Sequence, residues 1–219
     1  SHITGWKRLP DSHWYYFDET GVLQHGWLLD NGNWYYLNAS GFMVTGWQKL
    51  SDGHWYYFNG SGILQHGWLR DGGNWYYLNA SGFKVTGWQK LPDGNWYYFN
   101  GSGVLQHNWV RYSGNWYYLN ASGFMVTGWQ RLPDGNWYYF YPGGTMACNE
   151  TLNINGVDYT FNASGIWVQD QTVKRNGWEQ KDGAWYYYVN GAKATGWKQL
   201  PDGKWYYFNS DGKMQTGWL

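Results

Sequence analysis

A single cysteine, Cys148, excludes an internal disulfide framework and a cysteine-based zinc site. Set in an irregular segment, it reads as an inert small residue. Charge is also scarce. Lys and Arg total 15 and Asp and Glu total 15, so the formal net charge is zero. The cations are scattered singly, without the basic stripe that would neutralise phosphates, which argues against a nucleic-acid partner. No apolar run approaches the roughly 20 residues of a transmembrane helix, and the opening SHITGW has no signal-peptide core. Membrane insertion is therefore not expected, and the chain reads as soluble, either a mature secreted form or a fragment. A nucleophile motif and a Gly-rich phosphate loop are both missing, and helix has almost no support.

What is abundant is aromatic. The chain has 20 Trp and 22 Tyr against 9 Phe, together with 32 Gly. These residues recur in a repeat. Gly-Trp pairs begin at positions 5, 26, 46, 67, 87, 128, 177, 196 and 217, with Asn108-Trp109 in the same register. From 5 to 128 the steps alternate between 21 and 20 residues, so two unit types form a 41-residue pair. The longer reads GWQKLPDGNWYYFNGSGVLQH and the shorter GWLRDGGNWYYLNASGFKVT. Ile3-Thr4 before Gly5-Trp6 matches Val44-Thr45 before Gly46-Trp47, and the chain stops at Gly217-Trp218-Leu219. Both ends are accordingly expected to have been cut from a longer array.

Each unit contains two strand-like stretches separated by turn chemistry, such as Asn31-Gly32 or Asp93-Gly94. An isolated two-stranded hairpin is marginal in water, so units of this size must bury their rings against neighbours. The expected fold is all-β, a β-solenoid of stacked hairpins. Three segments are expected: tandem repeats over 1–148, a divergent unit over 149–176 and further repeats over 177–219.

Side chains alternate faces along a strand. Trp34 and Tyr36 therefore share one face, and Tyr35 and Leu37 the other. The divergent unit keeps Tyr159 and Phe161 at the Tyr35 and Leu37 positions. It places Thr151, Asp158 and Thr160 where Trp27, Trp34 and Tyr36 stand. A face lost as a set suggests a ligand site, so the two Trp and the last Tyr are read as the site and the middle Tyr as scaffold. Ring faces attract a bulky, weakly hydrated cation, and a quaternary ammonium such as choline suits a cage of this kind.

The pattern Gly-Trp, turn, Trp-Tyr-Tyr, then Gly-x-Met-x-Thr-Gly-Trp, nearly verbatim at Gly26 to Trp47, resembles the choline-binding repeats of surface proteins and phage lysins of pneumococcus and its relatives. The resemblance covers essentially the whole chain except 140–176. It implies hairpins stacked in a left-handed superhelix, with phosphocholine of teichoic and lipoteichoic acids held between consecutive hairpins. It also implies a secreted, cell-wall-associated parent, often a murein hydrolase, and leaves choline-dependent self-association open. No cofactor is expected.

Carried over by residue, the family pocket would join Trp6 and Trp14 with Tyr36, Trp27 and Trp34 with Tyr57, and Trp47 and Trp55 with Tyr77. Trp68 and Trp75 would meet Tyr98, Trp88 and Trp96 would meet Tyr118, Trp109 and Trp116 would meet Tyr139, and Trp178 and Trp185 would meet Tyr207. Met43, Met125, Met214, Leu23, Leu64 and Leu105 would form an apolar wall. Lys84 and Lys193 place an ammonium there and should weaken their pockets. Trp129 and Trp137 would face Thr160 and form a defective site, and Trp197 with Trp205 has no following hairpin in this chain.

Two other classes are weighed. A glucan-binding array of the glucosyltransferase type uses similar aromatic hairpins, but Trp pairs seven or eight residues apart favour a closed cage over an open platform. An enzyme is not expected. Asp93, Asp134 and Asp202 sit in Pro-Asp-Gly turns as turn formers, and Glu150, Asp158 and Asp170 are too scattered for a catalytic pair. His25, His66 and His107 recur every 41 residues without convergence, so no metal site is expected.

Overall fold

The computed structural model describes residues 1–169 and 175–217. Asp170, Trp218 and Leu219, which enter the sequence expectations, lie outside them. The chain divides into two compact units, Ser1–Val110 with Leu119–Met125, and Arg111–Tyr118 with Val126–Leu219.

The first unit begins with β1 (Gly5–Arg8) and β2 (Trp14–Phe17), then β3 (Gly26–Asp30) and β4 (Asn33–Leu37). It continues with β5 (Gly46–Lys49) and β6 (Trp55–Phe58), β7 (Gly67–Asp71) and β8 (Asn74–Leu78), and β9 (Gly87–Lys90) and β10 (Trp96–Phe99). The boundary between the units passes through β11 (Asn108–Tyr112) and β12 (Asn115–Leu119). The second unit holds β13 (Gly128–Arg131) and β14 (Trp137–Phe140), then β15 (Glu150–Ile154) and β16 (Val157–Phe161). After these come β17 (Gly177–Lys181), β18 (Ala184–Val189) and β19 (Ala192–Lys193), and finally β20 (Gly196–Gln199) and β21 (Trp205–Phe208). Among the described residues there is no helix. Strands pair antiparallel with their immediate sequence neighbours.

The one-residue difference between unit types lies in the hairpin turn. In the short type Asn31 (φ 47°) and Gly32 (φ 80°) form a two-residue loop with both residues left-handed, the geometry that matches strand twist. In the long type the loop is Pro92-Asp93-Gly94. Gly94 N–H donates to the Leu91 carbonyl and Gly94 alone is left-handed, at φ 84°. One extra loop residue separates the paired Trp by eight positions instead of seven, while the strand register around Trp and Tyr stays the same.

Most hairpins are followed by a second tight turn, Asn-x-Ser-Gly, in which the Asn side chain accepts two backbone N–H groups. Asn38 Oδ1 does so from Ser40 and Phe42. The returning connector then adds to the preceding hairpin. Leu64 N–H donates to the Trp34 carbonyl at 2.8 Å, and Met146 N–H does the same for Trp116 at 2.8 Å. Hairpins within a unit are thus stapled by backbone hydrogen bonds as well as by rings.

In each unit the interior is built on the last strand residues, Leu37, Phe58, Leu78 and Phe99 in the first and Phe140, Phe161 and Phe208 in the second, all essentially fully buried. Burying one such side chain contributes about 1.5–3 kcal/mol. Around Phe58 pack Val44, Tyr56 and Leu64, and around Phe140 pack Val126, Leu132, Tyr138 and Met146. Within a unit each hairpin completes its core only by resting on its neighbour.

Candidate functional site: an aromatic cage between consecutive hairpins

On three of the hairpins the two Trp side chains meet at nearly a right angle. The ring centroids of Trp27 and Trp34 are 6.1 Å apart at 88°, those of Trp68 and Trp75 are 6.2 Å apart at 88°, and those of Trp178 and Trp185 are 6.1 Å apart at 89°. Such a corner presents two π faces to one point. It stays partly open, with these Trp about 40% exposed.

The third ring comes from the next hairpin, and the structure corrects the sequence expectation about which Tyr supplies it. Trp6 meets Tyr35 at 4.8 Å, Trp27 meets Tyr56 at 5.1 Å, Trp47 meets Tyr76 at 4.9 Å and Trp68 meets Tyr97 at 5.1 Å. In the second unit Trp178 meets Tyr206 at 5.1 Å. The middle Tyr faces the preceding Trp pair.

The last Tyr lies instead across its own hairpin from its own Trp. Tyr36 is 5.3 Å from Trp27, Tyr57 is 5.0 Å from Trp47 and Tyr77 is 5.3 Å from Trp68. Tyr98 is 5.0 Å from Trp88, Tyr139 is 5.4 Å from Trp129 and Tyr207 is 5.3 Å from Trp197. Tyr118 is buried among Val126, Tyr138 and Phe140.

The physical reason is head-to-tail stacking. The Trp face of one hairpin must meet the opposite face of the next, and alternation places the middle Tyr on that opposite face. The divergent hairpin β15–β16 now makes sense. It keeps Tyr159, which serves the Trp pair before it, 4.8 Å from Trp129. It loses its own pair and also Thr160's Tyr counterpart, because that Tyr buttresses a Trp no longer present.

A fourth wall comes from the connector. Cages are lined by Trp6, Trp14, Tyr35 and Met43, by Trp27, Trp34, Tyr56 and Leu64, and by Trp178, Trp185, Tyr206 and Met214. The last is an almost wholly apolar hollow of about 360 Å³. The turn glycine of a later hairpin closes over this wall, with Gly62 against Met43 and Gly82 against Leu64.

The sites expected to be weak also take shape. Trp129 and Trp137 face Tyr159, not Thr160, and the wall position is Trp167, whose ring lies 5.6 Å from Trp129 and 5.5 Å from Tyr159. That indole fills much of the corner. Lys84 directs its ammonium at Trp47 and Trp55, and Lys193 places its own 4.2 Å from the Tyr186 ring. On β15 and β16 the Trp pair is replaced by Thr151, hydrogen bonded to Thr160 at 2.8 Å, and Asp158, bonded by the Asn153 amide at 2.7 Å. Trp197 and Trp205 are about 60% exposed. Trp88 and Trp96 stand on β9 and β10, and Trp109 and Trp116 on β11 and β12.

Sequence reasoning missed the acids that orient these rings. The phenol of Tyr15 donates to Asp11 at 2.5 Å, that of Tyr138 to Asp134 at 2.5 Å and that of Tyr206 to Asp202 at 2.6 Å, with Tyr56 to Asp52 and Tyr97 to Asp93 alike. The same carboxylates accept a turn N–H, as Asp134 does from Asn136. Trp6 Nε1 donates to Asp30 and Trp47 Nε1 to Asp71, both at 3.0 Å. The recurring four-residue Asp-to-Tyr spacing was the available signal.

These bonds fix a pH dependence. The phenol hydrogen bond holds Asp93 and Asp134 below the ordinary aspartate value of 3.8. Their contribution is therefore present above that pH and lost as pH falls through the lower folded value. Burial, then the aspartate hydrogen bond, pushes Tyr97 and Tyr138 up to about 12, so their contribution is present below pH 10 and lost as pH rises towards 12. Thermal melts should show a plateau between these windows, and Asp134→Asn should flatten the acid limb.

The comparisons agree with this geometry. The model for "Choline-binding repeat" matches residues 3–45, 30–65, 44–84, 66–108, 85–127 and 107–150, and that for "Putative cell wall binding repeat" matches 195–214. Choline binding protein F from Streptococcus pneumoniae, solved with a peptidoglycan analogue, is 41% identical with a TM-score of 0.69, over 76% of this chain and 58% of that one. CbpJ from the same species is 30% identical with a TM-score of 0.61, over 97% of this chain and 88% of that one. The choline-binding domain of CbpL, again from S. pneumoniae, is 26% identical with a TM-score of 0.54, over 99% and 100%. No curated protein sequence matches. The chain thus spans little more than half the length of the choline binding protein F structure it matches. With repeat matches running through residues 3–150 and hairpins stacked around aromatic corners, the chain is a binding module that belongs to the choline-binding repeat family.

Proposed function

We propose that the cages hold the trimethylammonium group of phosphocholine on teichoic and lipoteichoic acids, and so attach a secreted parent protein to the bacterial cell wall. The observation that carries this is the right-angled indole pair closed by a Tyr and an apolar wall, as at Trp178, Trp185, Tyr206 and Met214. A desolvated cation over such rings gains about 2 kcal/mol per strong contact. A few contacts, less ordering costs, give about 4 kcal/mol, or roughly millimolar affinity per cage. Several cages on one polymer then raise avidity by about 10² to 10⁴. Repetition, in this reading, supplies retention that no single cage could. The divergent 149–176 segment acts as a non-binding spacer between binding repeats, and a cell-wall hydrolase is the parent this anchor suits best.

Titrating choline against intrinsic Trp fluorescence tests the reading, with ethanolamine as the control because it keeps the charge and lacks the methyl groups. A saturable change with choline at millimolar concentration and little with ethanolamine is expected. Tyr56→Leu should remove one calorimetric site. Tyr57→Leu should remove none, since Tyr57 supports Trp47 within its own hairpin. No response to choline would overturn the proposal in favour of a sugar ligand.

A further inference from the structure

The connector after β8 places a charged residue where its counterparts place Met43, Leu64 and Leu105. Lys84 N–H donates to the Trp55 carbonyl at 2.8 Å, the same staple that seats those apolar walls. Its Nζ lies 5.0 Å from the Trp55 ring centroid and 5.2 Å from that of Trp47. Both distances fall within the roughly 6 Å at which an ammonium is attracted to a ring face. Tyr76 completes the same corner, 4.9 Å from Trp47. Among the described residues Lys84 makes no ion pair, so the rings are the partner its charge has.

The side chain is also pinned. A Cβ on Gly103, in the turn of a later hairpin, would stand 2.7 Å from Lys84 Cδ and 2.9 Å from Cγ. The stem therefore runs under that turn in van der Waals contact, and swinging the ammonium out to solvent would require the turn to move. Burial pushes the Lys84 ammonium below the ordinary lysine value, consistent with a head group inside the corner instead of in water.

We infer that Lys84 is a built-in ligand of the Trp47/Trp55/Tyr76 cage, a tethered primary ammonium that keeps this one cage closed to external quaternary ammonium groups while its neighbours stay open. The inference rests on the cation-binding reading of the cages. The residue at the connector wall is then the specificity determinant of each site: Met or Leu leaves a hollow, and Lys fills it.

The test uses the whole chain and two readouts. Calorimetric titration with choline chloride compares the unaltered protein with Lys84→Met, and with Lys181→Met as a surface control. Lys84→Met is expected to bind one additional choline per chain and Lys181→Met none. Separately, in choline-free protein, the Lys84 Cε methylene protons are expected to show upfield ring-current shifts by NMR. If the unaltered protein binds choline and Lys84→Met gains no site, or if the methylene protons resonate at ordinary lysine positions, the inference is overturned. If the unaltered protein binds no choline at all, the cation reading of the cages fails. The methylene shifts then decide alone whether Lys84 occupies the corner.

Discussion

Replacing Trp27 with alanine should cost about 3 kcal/mol of stability and abolish one ligand site. The ring contacts Trp34 and Tyr36 within its hairpin and Tyr56 and Phe58 in the next, at centroid distances of 5.1 to 6.1 Å. It is at once a cage wall and part of the joint between consecutive hairpins. Large-to-small changes at well-packed aromatics cost about 3–5 kcal/mol, and the lower end applies because Trp27 keeps one exposed face. Trp34→Ala makes the informative comparison. Among the described residues that ring meets only the Trp27 ring, so its loss should remove the same site with a smaller stability penalty. Urea unfolding measures the first quantity and choline calorimetry the second. Equal stability losses for the two variants would show that Trp27 carries no joint.

Gly62→Ala should destabilise the chain by about 2–5 kcal/mol, although it adds only one methyl group, at a buried turn position. Two costs combine. Gly62 has φ 79°, where an L-residue pays about 1–2 kcal/mol. The new Cβ would also fall 2.2 Å from Met43 Sδ, an overlap that adds about 1–3 kcal/mol even after the neighbour yields. Because Met43 is the wall of the Trp6/Trp14/Tyr35 cage, choline affinity at that site should fall as well. Gly60, two residues earlier in the same turn, has ordinary φ and open space around its Cα. Gly60→Ala also reproduces the Asn-Ala-Ser-Gly turn of the short units and should be neutral or stabilising by a few tenths of a kcal/mol. Thermal denaturation of the two variants side by side separates conformational strain from any general intolerance of the turn.

The repeat made much of this molecule legible in advance. Turn chemistry at Asn31-Gly32, strand runs such as Trp34 to Leu37 and the recurrence of Gly-Trp pairs are local features, and local backbone preference is what sequence encodes most directly. They were enough for an all-β stack of hairpins with paired Trp exposed on one face. The deeply buried Leu37 and Phe58 also follow from alternation alone.

Only tertiary structure decided which ring completes each corner. Alternation separates Tyr35 from Tyr36 but does not say which face the neighbouring hairpin covers. That depends on how hairpins are offset when they stack, so Tyr35 reaches Trp6 while Tyr36 stays with Trp27. The same holds for Trp167, which fills the corner of a hairpin it does not belong to, and for Gly62, whose necessity comes partly from Met43. The sequence by itself determined the unit, its turns and its two faces, because these depend on residues within about 20 positions. The joining of one unit's face to the next unit's back was settled by packing between units, where contacts form across residues that no local spacing relates.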